Sequence, residues 1–248
     1  MNPHAQIGLQ CKCEMASSEA FGRNRLSYGH VVTNSRQHEL LVATRSRKFL
    51  DELVYLQSIY EKMETERRHG LRKRLLDIGK HVSCGDRTWH RRDLEDIASW
   101  KGLPPNMLTL ENPDEFEGHL EKALRIEDET ARVNAMCDIR GMGPILVSTV
   151  SMFTWPDTFA FMDYHTFNAL RFLGFEFPRK HYTNTFTTSQ LLAYLRIVRG
   201  LRERKGVGSM QIAEALYALD RARTTNSWRR LYKSDTQSAT LIDIEERL

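Results

Sequence analysis

Two glycines one residue apart, Gly141 and Gly143, with Met142 between them and Pro144 directly after, constrain this chain more than any other stretch. Ala131 to Asp138 has helix-forming composition, so a helix must end and a tight turn begin within a few residues. Pro144 stands where a second helix would start, a position at which its missing N–H costs nothing and its fixed φ favours the first turn. Ile145 to about Phe153 is apolar and rich in small residues, and a buried helix is expected there. The N–H groups of Gly141, Gly143 and Ile145 would then lie free at a helix N-terminus, able to bind a phosphate without reading a base.

After Trp155-Pro156 an apolar run, Phe159 to Met162, leads into Asp163, and Tyr164 to Leu170 resumes helical spacing. An Asp before a helix is most simply its N-cap. The whole arrangement nevertheless resembles the helix-hairpin-helix DNA glycosylase superfamily, of the endonuclease III and adenine-glycosylase type. Ile139-Arg140-Gly141-Met142-Gly143 matches its hydrophobic-x-Gly-hydrophobic-Gly turn, Trp155-Pro156 supplies the proline near the next turn, and Asp163-Tyr164-His165 stands where a catalytic Asp opens a helix. The resemblance covers about residues 130 to 174. It implies a catalytic Asp163, DNA contacts from Arg140, Gly141, Met142, Gly143 and Ile145, and double-stranded DNA as the partner. No cofactor is expected, the one alternative being a monovalent cation at the hairpin.

Two departures from the family pattern narrow the expectation. Bifunctional members carry a lysine nucleophile two residues after the second glycine, where this chain has Ile145, so lyase chemistry is not expected. Some relatives hold an iron-sulfur cluster with four cysteines after the catalytic domain. Here the cysteines are Cys11, Cys13, Cys84 and Cys137, none near the C-terminus, and Cys11-Lys12-Cys13 lacks a second pair for zinc, so no metal site is expected.

At 248 residues, 41% of them hydrophobic, the chain can bury a substantial core. It has no apolar run of about 18 residues and no signal-peptide core, and its cysteines form no secreted framework. A monomer in the bacterial cytoplasm, or associated with the nucleoid, is expected, with no membrane partner. The net charge of +4 is unevenly placed: residues 171 to 233 hold 13 Lys or Arg against 4 Asp or Glu, and residues 93 to 130 hold 3 against 11. A basic stretch is often only a solvated helix face, but beside a phosphate-binding turn it suits a nucleic acid.

No stretch alternates like a strand beyond the short Leu40 to Val42 and Phe159 to Met162, so the expected fold is all-α. The resemblance adds two helical subdomains flanking a cleft. Residues 1 to 36 read as a polar arm, 37 to 233 as the helical domain with its hairpin at 131 to 153, and 234 to 248 as a tail. Apolar residues recur at helical spacing from Glu39 to Glu64, enough for two helices, and Gly70 reads as a break beside a basic turn. Thr88 or Asp93 is expected to cap a helix through Trp100 that Gly102 to Asn106 stops, and residues 111 to 129 an acidic helix with Phe116, Leu120 and Leu124 inward. Thr188 or Ser189 should cap a helix to about Arg204, with Leu191, Leu192, Leu195 and Val198 inward and Arg196, Arg199 and Arg202 outward. A further helix is expected from Met210 to Ala222.

Trp100, Lys101, Tyr164 and His165 are candidates for a pocket that receives a flipped base, although a tryptophan on a short amphipathic helix is more often core. The resemblance thus implies a monofunctional DNA glycosylase, in which Asp163 stabilises the sugar cation and orients water to leave an abasic site. A non-catalytic hairpin protein that binds DNA is the alternative, and a helical regulatory protein with a chance Gly-x-Gly turn a third. The identity of the base is not legible, because base recognition is spread over a few polar contacts on several helices.

Overall fold

The computed structural model describes residues 28–103, 113–177 and 186–234, which form eleven α-helices and no strand. In order these are α1 (Tyr28–Asp51), α2 (Leu53–Met63), α3 (Glu66–Ser83), α4 (Arg91–Lys101), α5 (Pro113–Leu124), α6 (Glu129–Asp138), α7 (Pro144–Thr154), α8 (Tyr164–Phe172), α9 (Thr188–Lys205), α10 (Ser209–Thr224) and α11 (Asn226–Ser234). The all-α expectation holds over these residues. Leu40 to Val42 lies inside α1, and Phe159 to Met162 is extended without pairing. Among the described residues no helix is long and apolar enough to cross a membrane. The expected stop over Pro104 to Asn106 and the tail from 235 onward fall outside the described residues.

Several boundaries differ from the sequence reading, each for a local reason. The polar arm is shorter than expected, because α1 begins at Tyr28, inside the stretch that lacks apolar periodicity. The 39 to 64 segment does divide in two, at Glu52. Gly70 breaks nothing: α3 starts earlier, where the Thr65 hydroxyl accepts the N–H of Arg68, and runs through the glycine. The cap of α4 is His90 rather than Thr88 or Asp93, and Asp93 at the third helical position turns back to accept the His90 N–H. The cap of α9 is Thr187, one residue before the expected pair. Gly102 ends α4 as expected, with φ of 70°, the left-handed conformation that glycine adopts without a Cβ penalty.

The buried apolar side chains form one cluster to which every one of these helices contributes. α10 packs against α2, α8, α9 and α11, while α3 packs against α4 and α7, and α6 against α5, α7 and α9. α7 is the most deeply placed element, with every residue from Leu146 to Thr154 buried. It approaches α3 at Gly79, where an added Cβ would stand 1.9 Å from the carbonyl oxygen of Phe153. That contact is backbone on both sides and cannot be relieved by a rotamer change.

This geometry sets apart two glycines of the same helix. Gly79→Ala should destabilise the protein by at least about 2–3 kcal/mol, because the helices must separate to admit the methyl group. Gly70→Ala, at a position with nothing within 4 Å, should stabilise by about 0.5–1 kcal/mol. Urea denaturation of both variants checks this, and a neutral Gly79→Ala would show that α3 and α7 are not in backbone contact.

Candidate active site

The turn between α6 and α7 has the conformation that its glycines suggest at one of the two positions. Gly141 takes φ of 88°, closed to most side chains, whereas Gly143 is at an ordinary −75° and serves as the N-cap of α7 with Pro144 in its first turn. Gly141, Gly143 and Arg140 are exposed. The Met142 N–H is taken by the Ile139 carbonyl at 2.9 Å, and among the described residues no backbone carbonyl accepts from Gly141, Gly143 or Ile145. Met142 corrects one expectation: its side chain is 1% exposed and belongs to the core. It anchors the turn from inside and cannot reach a ligand.

From this turn α7 leads to the carboxylate. The Ser148 hydroxyl donates to the Ile145 carbonyl at 2.7 Å and accepts the Met162 N–H at 2.9 Å. The Tyr194 hydroxyl donates to the Phe161 carbonyl at 2.7 Å. These bonds supply the extended, buried segment before Asp163 with the partners that a strand would otherwise provide. Asp163 does cap α8: Oδ1 accepts the Thr166 N–H at 2.9 Å, and the Thr166 hydroxyl accepts the Asp163 N–H at 2.9 Å. Its other oxygen is left over from capping, and that oxygen meets Lys101. Nζ of Lys101 lies 2.6 Å from Oδ2 of Asp163 and 4.2 Å from the centre of the Phe161 ring.

Both members of the pair are nearly enclosed, with side chains 5% and 16% exposed for Lys101 and Asp163. Burial alone would raise the Asp163 pKa, but the charge and hydrogen bond of Lys101, with the Thr166 N–H, outweigh it and hold the carboxyl below its ordinary value. Asp163 is therefore ionised at neutral pH. Burial pulls the Lys101 ammonium below the ordinary lysine value although Asp163 pulls it back.

The pair stands on the wall of a cavity of about 120 Å³. Of the expected pocket residues, Trp100 and Lys101 line it, and Trp100 is at the same time core, edge-on to Phe153 and Phe161. Tyr164 does not: it is 57% exposed. His165 stands beside the cavity rather than in its lining, with Nδ1 2.8 Å from Oδ2 of the buried Asp220 and its ring stacked edge-on at 4.9 Å against Tyr217. Ser99, Gly102 and Phe161 also line it, as do Tyr60 from α2, Arg68 from α3 and Tyr217 from α10, and these last three were not expected there from sequence. Tyr60 reads as one more residue of an apolar stripe, and Tyr217 lies in an ordinary amphipathic helix. Only the packing of α10 on α2 brings them together, so no local signal could have found them.

The basic C-terminal region is less free than its composition suggests. Arg196 is exposed, and Arg199 and Arg202 lie at the surface as expected but are not free there: Arg199 is paired with Glu129 at 2.5 Å and Arg202 donates to the Asp157 carbonyl at 3.0 Å. Comparison of the chain with protein-family models, with curated proteins and with solved structures finds no match in any of the three.

The Lys101–Asp163 contact makes its own prediction. In a carboxyl-carbon NMR titration, Asp163 should titrate below an ordinary aspartate in the wild type. In Lys101→Met burial acts without its counterweight, and the midpoint should move above the ordinary value. An unmoved midpoint would show that Lys101 does not govern this carboxylate.

Proposed function

We propose that the protein is a monofunctional DNA glycosylase, which draws a modified or damaged base into the cavity and hydrolyses its N-glycosidic bond. The observation that carries this reading is the Asp163 carboxylate, hydrogen-bonded to Lys101 on the wall of an aromatic cavity, in a chain whose exposed glycine turn has N–H groups that no backbone carbonyl takes among the described residues. The turn would hold the phosphate backbone of double-stranded DNA. The cavity is lined from α2, α3, α4, α10 and the segment before α8, and on this reading it serves as the cleft that the flipped base enters. As the C1′–N bond breaks, its electron pair leaves with the base and positive charge gathers on the sugar, where a fixed anion stabilises it. A water oxygen then bonds to C1′ and its proton passes to solvent or to the departed base.

Oδ1 of Asp163 is committed to the helix cap and Oδ2 to Lys101, so the carboxylate is held in one orientation. Asp163→Asn should abolish base release from duplexes carrying modified bases, scored as alkali-sensitive abasic sites, while DNA affinity stays within about twofold. Release that survives the substitution would remove Asp163 from the chemistry. A protein that binds DNA but releases nothing from any duplex would be the non-catalytic hairpin protein instead.

A second reading is favoured by one observation, the enclosed Lys101 amine with its lowered pKa beside Asp163. Such an amine can add to C1′ as an imine-forming nucleophile in place of water. The monofunctional reading expects borohydride to trap no adduct; a trapped adduct lost in Lys101→Met would assign the nucleophile to Lys101.

The turn can be tested separately. Gly143 has nothing within 4 Å of a built Cβ and an ordinary φ, so Gly143→Asp should fold. Its charge would face the phosphate and weaken binding to every DNA sequence, by about tenfold or more at low salt. Equal affinity in the two proteins would take the turn out of the interface.

A further inference from the structure

Among the charged groups that line the cavity beside Asp163, donors outnumber acceptors. Asp163 is an acceptor only, and both its oxygens are engaged, by the Thr166 N–H and by Lys101. Lys101 and Arg68 are donors only, and they are two cations against one carboxylate among the lining residues. Nε of Arg68 is buried without a partner, although the guanidinium hydrogen-bonds Tyr217 and lies 5.3 Å from the centre of the Trp100 ring. The hydroxyl of Tyr60 is likewise buried without a partner, on a residue 2% exposed. Buried polar atoms are nearly always satisfied, so two such atoms on residues that line one cavity point to a ligand that draws them into hydrogen bonds as it enters. The walls are aromatic, with the Tyr60 and Tyr217 rings edge to face at 5.7 Å and Trp100 and Phe161 at 5.6 Å, which suits a flat group.

We propose that the cavity takes a keto base, one whose exocyclic groups are carbonyls and not amines, such as a uracil-type pyrimidine or a deaminated purine. Carbonyl oxygens accept from Lys101 and from Nε of Arg68, whereas an exocyclic amino group would set a donor against donors. The Tyr60 hydroxyl, able to donate or accept, can serve a second carbonyl or a ring N–H. This assignment rests on the glycosylase reading for its flipped base, but it concerns the cavity's chemistry and can be measured without catalysis.

The test is a titration of the full chain with free uracil, hypoxanthine, cytosine and adenine, followed by NMR, alongside base release from duplexes carrying each of them. A keto base should bind at least about tenfold more tightly than either amino base, because a site built to hydrogen-bond one group rejects its mismatch strongly. The uracil and hypoxanthine arms separate a one-ring from a two-ring occupant. Tyr60→Phe removes an atom that has no partner among the described residues, so its Tm should hold or rise while keto-base affinity falls about fivefold. Arg68→Met should bring keto and amino bases to within about twofold of each other. Cytosine or adenine binding as tightly as the keto bases, no binding of any base, or a lower Tm in Tyr60→Phe would overturn the assignment. A keto preference in binding without release from any duplex would leave the assignment standing and overturn the glycosylase reading; preferred release of an amino base would do the reverse.

Discussion

The contact between Lys101 and Asp163 is the interaction on which the site depends. A carboxylate taken out of water costs several kcal/mol unless a counter-charge and hydrogen bonds replace its hydration. Here the replacement comes from two directions. The start of α8 supplies a backbone N–H and the end of α4 an ammonium, so one side chain joins a helix that it begins to a helix that ends 62 residues earlier in the chain. The αL glycine that stops α4 directly after Lys101 keeps the amine at a helix end instead of burying it mid-helix.

A second layer of charge lies against the same floor. Trp100 donates from Nε1 to Glu64 at 3.3 Å, and Arg72 bridges Glu64 and Glu214 at 3.1 and 3.2 Å. Burial pushes the Glu214 carboxyl up to about 7 even with Arg72 beside it. The Trp100 ring is thus fixed on one edge by a hydrogen bond and by T-shaped contacts with Phe153 and Phe161, which leaves the wall of the cavity little freedom to rearrange.

What could be read from the chain and what could not divides along sequence distance. The turn at Gly141, the buried α7, the cap at Asp163 and the stop at Gly102 are local facts, written in residues within one or two helical turns of each other. Trp100 and Lys101 could be named because an aromatic ring beside a cation at a helix end suits a stacked base. The partnership of Lys101 with Asp163, and the arrival of Tyr60, Arg68 and Tyr217 around it, depend on how α2, α3 and α10 pack, and packing leaves no periodic mark on a single sequence. Composition misled where charges pair across the fold: Arg199 counts as basic surface in a sum over residues 171 to 233, yet Glu129 from the acidic stretch neutralises it.

The bare contact between Gly79 and Phe153 has a mechanical consequence. α7 carries the glycine turn at its start and meets α3 at its end, and α3 carries Arg68 eleven residues before Gly79. Backbone against backbone acts as a stop: the two helices can slide or pivot but can draw no closer. A load applied at the turn would thus reach the guanidinium end of α3 as a lever's motion rather than being absorbed by soft side chains between them.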